Sequence, residues 1–554
     1  MNAGTDSARM EPTHKSRSRV LKIAAIAVVV LLVVAGYLLL WPALRPKVEQ
    51  RIGDIGLTSN EVAANGPLPG DVSLYGTELA CAEKLPTPGY FSSINGAEIA
   101  DAQRSGLYPC ATFTGSFDGP NQVFAWRSQD SYQAANFVNN RKPGELYITG
   151  GDNPALTGAV APGPFVAKVD ASTGAQIWRT YVDNANLSGS FIATANLNIL
   201  ANGKIIFSWS DKIVLLDPDT GLILKSNTLP TGTTPVADVS YKHLTIAPDG
   251  TLILKTQARP TGSTEQGSMA IIKGVQQGLK QANSMMAAVD ANTLEVLDSV
   301  EMSEPATTPH VITMFEGKIA IYISANVHAF RYFWDPKTKR LSKDDGWEIP
   351  YLQKGQTTGD APTLMGDWVT IQTNGIGSKT IASSIVAINQ HDAKKMITIY
   401  PFGPLKEGEE SFAPPKSGGD PENNLVYSAD MGLGKVAGVK IDPQTGEMKT
   451  AWVVDDTTSG FQPLIGPKDK RVLLISRMKK NVKEEPLLPA LMTGNYKEQV
   501  TWREAATGRL IAESDFFEPL TVGSLITPGF GGRIYFPTGK GFITMQVMQK
   551  PISR

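Results

Sequence analysis

The side chains best suited to chemistry are few and scattered. Cys81 and Cys110 are the two cysteines of the 554-residue chain. Neither belongs to a Cys-x-x-Cys pair or has a histidine nearby in sequence, which argues against redox catalysis and a zinc site. In an oxidising compartment they read as one disulfide; two independent buried thiols are the competing reading. The five histidines, His14, His243, His310, His328 and His391, lack any i, i+4 or His-Glu-x-x-His spacing. Gly529–Gly532 reads Gly-Phe-Gly-Gly before a strand, so it is a loop and not a phosphate cradle. What does recur is an acidic or amide residue in a short turn.

That residue is Asp170, Asp217, Asp290, Asp335, Asn389, Asp442 and Glu504, at spacings of 47, 73, 45, 54, 53 and 62 residues. The segments around it include FVAKVDASTGAQIWRTY, IVLLDPDTGLILKS and GVKIDPQTGEMKTAW. Each is a strand, a tight turn and a returning strand. The carboxylate can accept a backbone N–H two residues on. Gly174, Gly221, Gly446 and Gly508 supply the positive φ that restarts the strand. Flanking β-branched and aromatic residues suit half-buried strands.

The elements positioning these turns are four-stranded units. One runs from residue 191 to an Asn202–Gly203 turn, then to Trp209, then Ile213–Leu216, then Leu222–Lys225. Four short up-and-down strands every 45–60 residues are the unit of a β-propeller. After Gln546 only eight residues remain, with no further Asp-x-x-Thr-Gly turn. That last unit therefore needs a fourth strand from the N-terminal part, between Val72 and Arg127, which would close the ring and remove exposed edges. Seven hairpins and one composite unit make an all-β, eight-bladed propeller; seven blades is the alternative, because the Asn389 unit is degenerate.

The motif Ala167, Asp170, Thr173, Gly174, Trp178 resembles the tryptophan-docking repeat of the pyrroloquinoline-quinone (PQQ)-like β-propellers. The resemblance covers about Gly144–Gln549 and implies that Trp178 packs between neighbouring blades. Thr450 and Lys225 stand at the Trp position of two other copies. The family includes quinone-dependent dehydrogenases and non-catalytic propellers such as the lipoprotein of the outer-membrane β-barrel assembly machinery. Its dehydrogenases carry an adjacent Cys-Cys ring and Ca²⁺ ligands, and this chain has no adjacent cysteines. The expectation is a non-catalytic member with no cofactor. PQQ with calcium enters only if the chain is instead a quinoprotein-like oxidoreductase, and a small-ligand sensor using the central funnel is the other alternative.

Location follows from one segment. Ile23–Leu44 is 22 residues without a charge, about 33 Å as a helix and enough to span a bilayer core. Five Lys/Arg residues precede it and three follow, placing the N-terminus in the cytoplasm. A cleaved signal peptide would be shorter and end at small residues, whereas Leu39, Leu40 and Trp41 stand there. The expected organisation is a cytoplasmic tail (1–22), a single transmembrane helix (23–44), an extracytoplasmic segment donating the closing strand (45–143), and the propeller (144–549). The net charge of −1 leaves no basic surplus for nucleic acid. Partners are then the membrane and other envelope proteins. Contacts for them are expected in the two longest intervals: Met269, Ile272 and Leu279 on a short helix, and the Pro-bounded stretch with Leu487, Leu488, Leu491 and Met492. The competing reading folds both insertions back onto the propeller.

Overall fold

The computed structural model describes residues 67–130, 138–150, 163–182, 196–263, 271, 274, 277–375, 378–412, 417–458, 460, 463–487, 490, 494–517, 526–538 and 541–549. The apolar run 23–44 lies outside them. No helix among the described residues is long and apolar enough to cross a membrane.

Eight sheets carry the chain, each of four strands in up-and-down order with small additions at two of them. Blade 1 runs from Val138–Asn139 to Gln176–Tyr181, blade 2 from Asn196–Ile199 to Ile223–Thr228, and blade 3 from Val239–Ile246 to Val296–Glu301. Blade 4 runs from His310–Phe315 to Arg340–Pro350, and blade 5 from Thr357–Thr358 to Met396–Ile399. Blade 6 runs from Gly418–Asp420 to Met448–Val454, blade 7 from Leu464–Ile465 to Leu510–Glu513. Blade 8 joins Thr527–Pro528, Arg533–Thr538 and Gly541–Gln549 to Asn121–Arg127. The degenerate Asn389 unit is a full blade, which settles eight over seven.

The closing strand falls where the incomplete last unit required it. It pairs antiparallel from Asn121↔Gln549 to Arg127↔Ile543. The first strand of blade 1, Val138–Asn139, begins before residue 144. Its two residues carry too little pattern to mark the boundary.

Inside a blade, strands two and three are buried on both faces, while fourth strands such as Ile223–Thr228 are largely exposed. The reason is visible in the core. Alternate residues of one strand enter different interfaces: Ile206 packs toward blade 3 and Ile205 and Phe207 toward blade 1. Each blade therefore shares one apolar layer with each neighbour, as packed sheets do. Burial on two sides makes these strands read as continuous apolar runs.

Candidate functional site

The repeat turns form as their sequence dictates. The Asp170 carboxylate accepts the N–H groups of Ser172 and Thr173 at 2.9 and 2.8 Å. Asp217 accepts from Asp219 and Thr220, Asp290 from Asn292 and Thr293, and Asp442 from Gln444 and Thr445. Asp335 takes the Lys337 N–H and the Thr338 hydroxyl. Backbone N–H donors hold Asp217, Asp290, Asp335 and Asp442 below the usual carboxylate range. These carboxylates are spent on turn formation.

The glycines of the turns do more than tolerate positive φ. A Cβ on Gly221 would lie 2.6 Å from the Trp178 ring, and one on Gly508 would lie 2.7 Å from the Trp452 ring. Trp178 donates its indole N–H to the Pro218 carbonyl of blade 2 at 3.3 Å. Docking therefore holds at Trp178, but it is not confined there. Trp452 of blade 6 donates to Ala505 of blade 7 at 3.1 Å, and Trp368 of blade 5 donates to Pro443 at 3.2 Å, over Gly446. In blade 6 a register shift at Gly438/Val439 sets Trp452, and not Thr450, opposite Gly438. Gly438 has no Cβ to obstruct that ring.

A tyrosine accompanies the docking residue, and sequence reasoning missed it. Tyr147, Tyr427 and Tyr535, each third in a second strand, donate to the carbonyls of Pro218, Ala505 and Ala171 in the next blade. The signal is an aromatic recurring at one strand position, and it was hidden by the variable strand starts.

The N-terminal segment carries buried polar groups of its own, Glu78, Ser93, Asn95, Glu98, Arg104 and Ser105 among them. Helix Tyr75–Ala82 seats on blade 8, where the Glu78 carboxylate accepts the Gly531 N–H at 2.7 Å. Cys81 is bonded to Cys110, with Cα atoms 5.6 Å apart. Between them the chain crosses from blade to blade. Tyr90 bridges Leu200 of blade 2, and its hydroxyl accepts the Ile246 N–H of blade 3. Asn95 binds Asn140 of blade 1, Ala102 binds Ile312 of blade 4, and Ser105 binds Gly419 of blade 6. Leu107–Tyr108 then adds a parallel strand to blade 7. Residues 89–108 thus plug the ring, contacting the first strands or first turns of these blades.

Within the plug Arg104 and Glu98 form an ion pair at 2.8 Å, with both side chains 3% exposed. Burial pushes the Glu98 carboxyl above its usual range, and Arg104 offsets part of that. Ile99, Ala100 and Arg104 all adopt positive φ, a concentration of strained backbone in one short segment. Beside the plug, blade 3 pairs His243 with Lys255 across two strands, and His310 of blade 4 faces them. Sequence spacing gave no hint that histidines 67 residues apart meet. Burial is the main cause that lowers Lys255 to about 7 and His310 to about 3, and it holds His243 well below its usual value.

Among the described residues there is no group of three His, Cys, Asp or Glu that could hold a metal ion. The plug's carboxylate is already committed to Arg104.

The two insertions join second and third strands, in blades 3 and 7, so both emerge at the end of the ring opposite the first turns. Leu279 is 38% exposed there. Leu487 instead packs beside Met431, Met478 and Tyr496, so this part of the second insertion folds onto its own propeller. Its neighbours supply an apolar seat that the sequence interval alone does not reveal. The side chains of Met269, Ile272, Leu488, Leu491 and Met492 lie outside the described residues.

Fold and site together define an eight-bladed β-propeller, closed by an N-terminal strand and plugged by an N-terminal segment. No family model matches the chain, and no curated protein matches it. Among solved structures, quinohemoprotein alcohol dehydrogenase from Comamonas testosteroni aligns with a TM-score of 0.51 at 11% identity, covering 87% of this chain and 86% of that one. BamB from Moraxella catarrhalis aligns with a TM-score of 0.42 at 12% identity, covering 78% and 99%. Saccharomyces cerevisiae Sqt1 gives 0.45 at 10%, covering 78% and 98%. At such identities the first likeness establishes the propeller fold alone.

Proposed function

We propose that this chain is a membrane-anchored, extracytoplasmic β-propeller that serves as a protein-interaction or assembly scaffold in the cell envelope. The observation that carries this reading is the plug: the ring is filled from one end by the chain's own residues 89–108, in which the buried Arg104 and Glu98 pair with each other. A substrate entering from that end would have to displace them. Partner contact is left to the opposite end, where the insertions and the exposed Leu279 lie. The apolar run 23–44 supports the anchor and the N-in orientation.

The test is affinity purification of the full-length chain from solubilised membranes after mild cross-linking. A stoichiometric envelope protein should co-purify, and protease added to spheroplasts should reach the propeller. Failure to recover any partner, together with dye-linked oxidation on adding PQQ and Ca²⁺, would overturn the scaffold reading in favour of an oxidoreductase.

A further inference from the structure

The apolar layer between blades 3 and 4 is interrupted by three basic groups. His243 and Lys255 stand opposite one another on the first two strands of blade 3. His310 opens the first strand of blade 4. All three are at most 2% exposed. Around them lie Ile253, Met286, Ile312, Ile321 and Ile323, buried members of the apolar layer shared by blades 3 and 4.

Their partners are few. Lys255 Nζ donates to the carbonyls of Ala306 and Thr256, which suits an ammonium and adds no counter-charge. His243 Nδ1 has no hydrogen-bond partner. His310 has no hydrogen bond of ordinary geometry at either ring nitrogen, only a weaker contact with the Ile253 backbone. The charged groups that act on this cluster are Lys242 from blade 3, Arg104 and Glu98 from the plug, and Asp360 from the connection into blade 5. Glu98 pairs with Arg104 and Asp360 acts on Lys255, while the charges that act on the two histidines are cationic.

We propose that the seam between blades 3 and 4 is an acid-operated joint: protonating His243 or His310 beside Lys255 sets like charges in a closed apolar interface, and the ring loosens there first. The direction follows from proton linkage. Both imidazoles are neutral when folded and titrate near 6.5 when unfolded, so the open form binds more protons below that value. The histidine contribution to stability at the seam is full above about pH 6.5 and is lost as the pH drops toward 3, whereas the loss from Lys255, lowered from 10.5 to about 7, is complete before that range. Each imidazole that takes up a proton on opening shifts the equilibrium about tenfold per pH unit. The other interfaces formed by described residues contain no such facing pair of buried histidines. Loosening this joint would also release two of the plug's attachments, since Tyr90 and Ala102 are bonded to the first strands of these same two blades.

The experiment is hydrogen exchange on the full-length protein between pH 7 and pH 4.5, corrected for intrinsic rates. Amides of Val239–Ile246, Leu252–Ala258 and His310–Phe315 should lose protection by tenfold or more over that range, relative to Leu425–Asp430 and Lys435–Ile441 of blade 6. A His243→Gln, His310→Gln variant should abolish that difference. The inference is overturned if wild-type blades 3 and 4 track blade 6 across the pH range, a comparison that needs no variant to fold. It is equally overturned if the folded double variant keeps the wild-type pH dependence.

Discussion

Replacing Gly508 with alanine tests the docking between blades 6 and 7 quantitatively. Two costs arise. Gly508 has φ +74, where an L side chain costs about 1–2 kcal/mol. The added Cβ would also meet the Trp452 ring at 2.7, 2.8 and 3.3 Å, and overpacking of this kind costs about 1–3 kcal/mol. The total is about 2–5 kcal/mol. Gly317→Ala provides the reference, because its φ is +76 with nothing within 4 Å of the new Cβ; it should cost only the strain, about 1–2 kcal/mol. Trp452→Ala alone removes a half-buried ring and its bond to Ala505, for about 2–3 kcal/mol. In that background Gly508→Ala should fall to the Gly317 value, a coupling of about 1–3 kcal/mol between residues of different blades. The measurement is urea unfolding followed by far-ultraviolet circular dichroism, which does not depend on the deleted tryptophan. If Gly508→Ala costs the same with and without Trp452, the ring does not dock on that turn and the reasoning fails.

Removing the disulfide with Cys81→Ser frees a loop of 29 residues' separation and should lower stability by about 3–4 kcal/mol, read from the shift in urea midpoint. Glu98→Gln leaves Arg104 as an uncompensated buried cation and should cost about 3–5 kcal/mol, whereas an exposed acidic residue such as Asp345 should cost almost nothing. Lys339 occupies the turn glycine position at φ +52 and is exposed; Lys339→Gly should stabilise by about 0.5–1 kcal/mol, visible as a raised melting temperature.

The sequence by itself determined everything that depends on a few adjacent residues. The Asp-x-x-Thr-Gly turns bond within three residues of the aspartate, so their spacing counted the blades. The three-stranded end of the chain likewise required a donated strand, now Asn121–Arg127. What needed tertiary structure depends on contacts between blades. Trp452 docks instead of Thr450 because a register shift at Gly438 moves the strand, and local pattern does not encode that shift. The plug has no readable periodicity because its backbone bonds mostly outward, to five different blades, with only isolated turns such as Arg104 N–H to Asp101 within it, so no internal repeat forms. Leu487 looked free beside charged residues until Met431, from another blade, covered it. His243 and His310 become one site only because blades 3 and 4 share an apolar layer, and ring closure, not sequence distance, sets which side chains enter it.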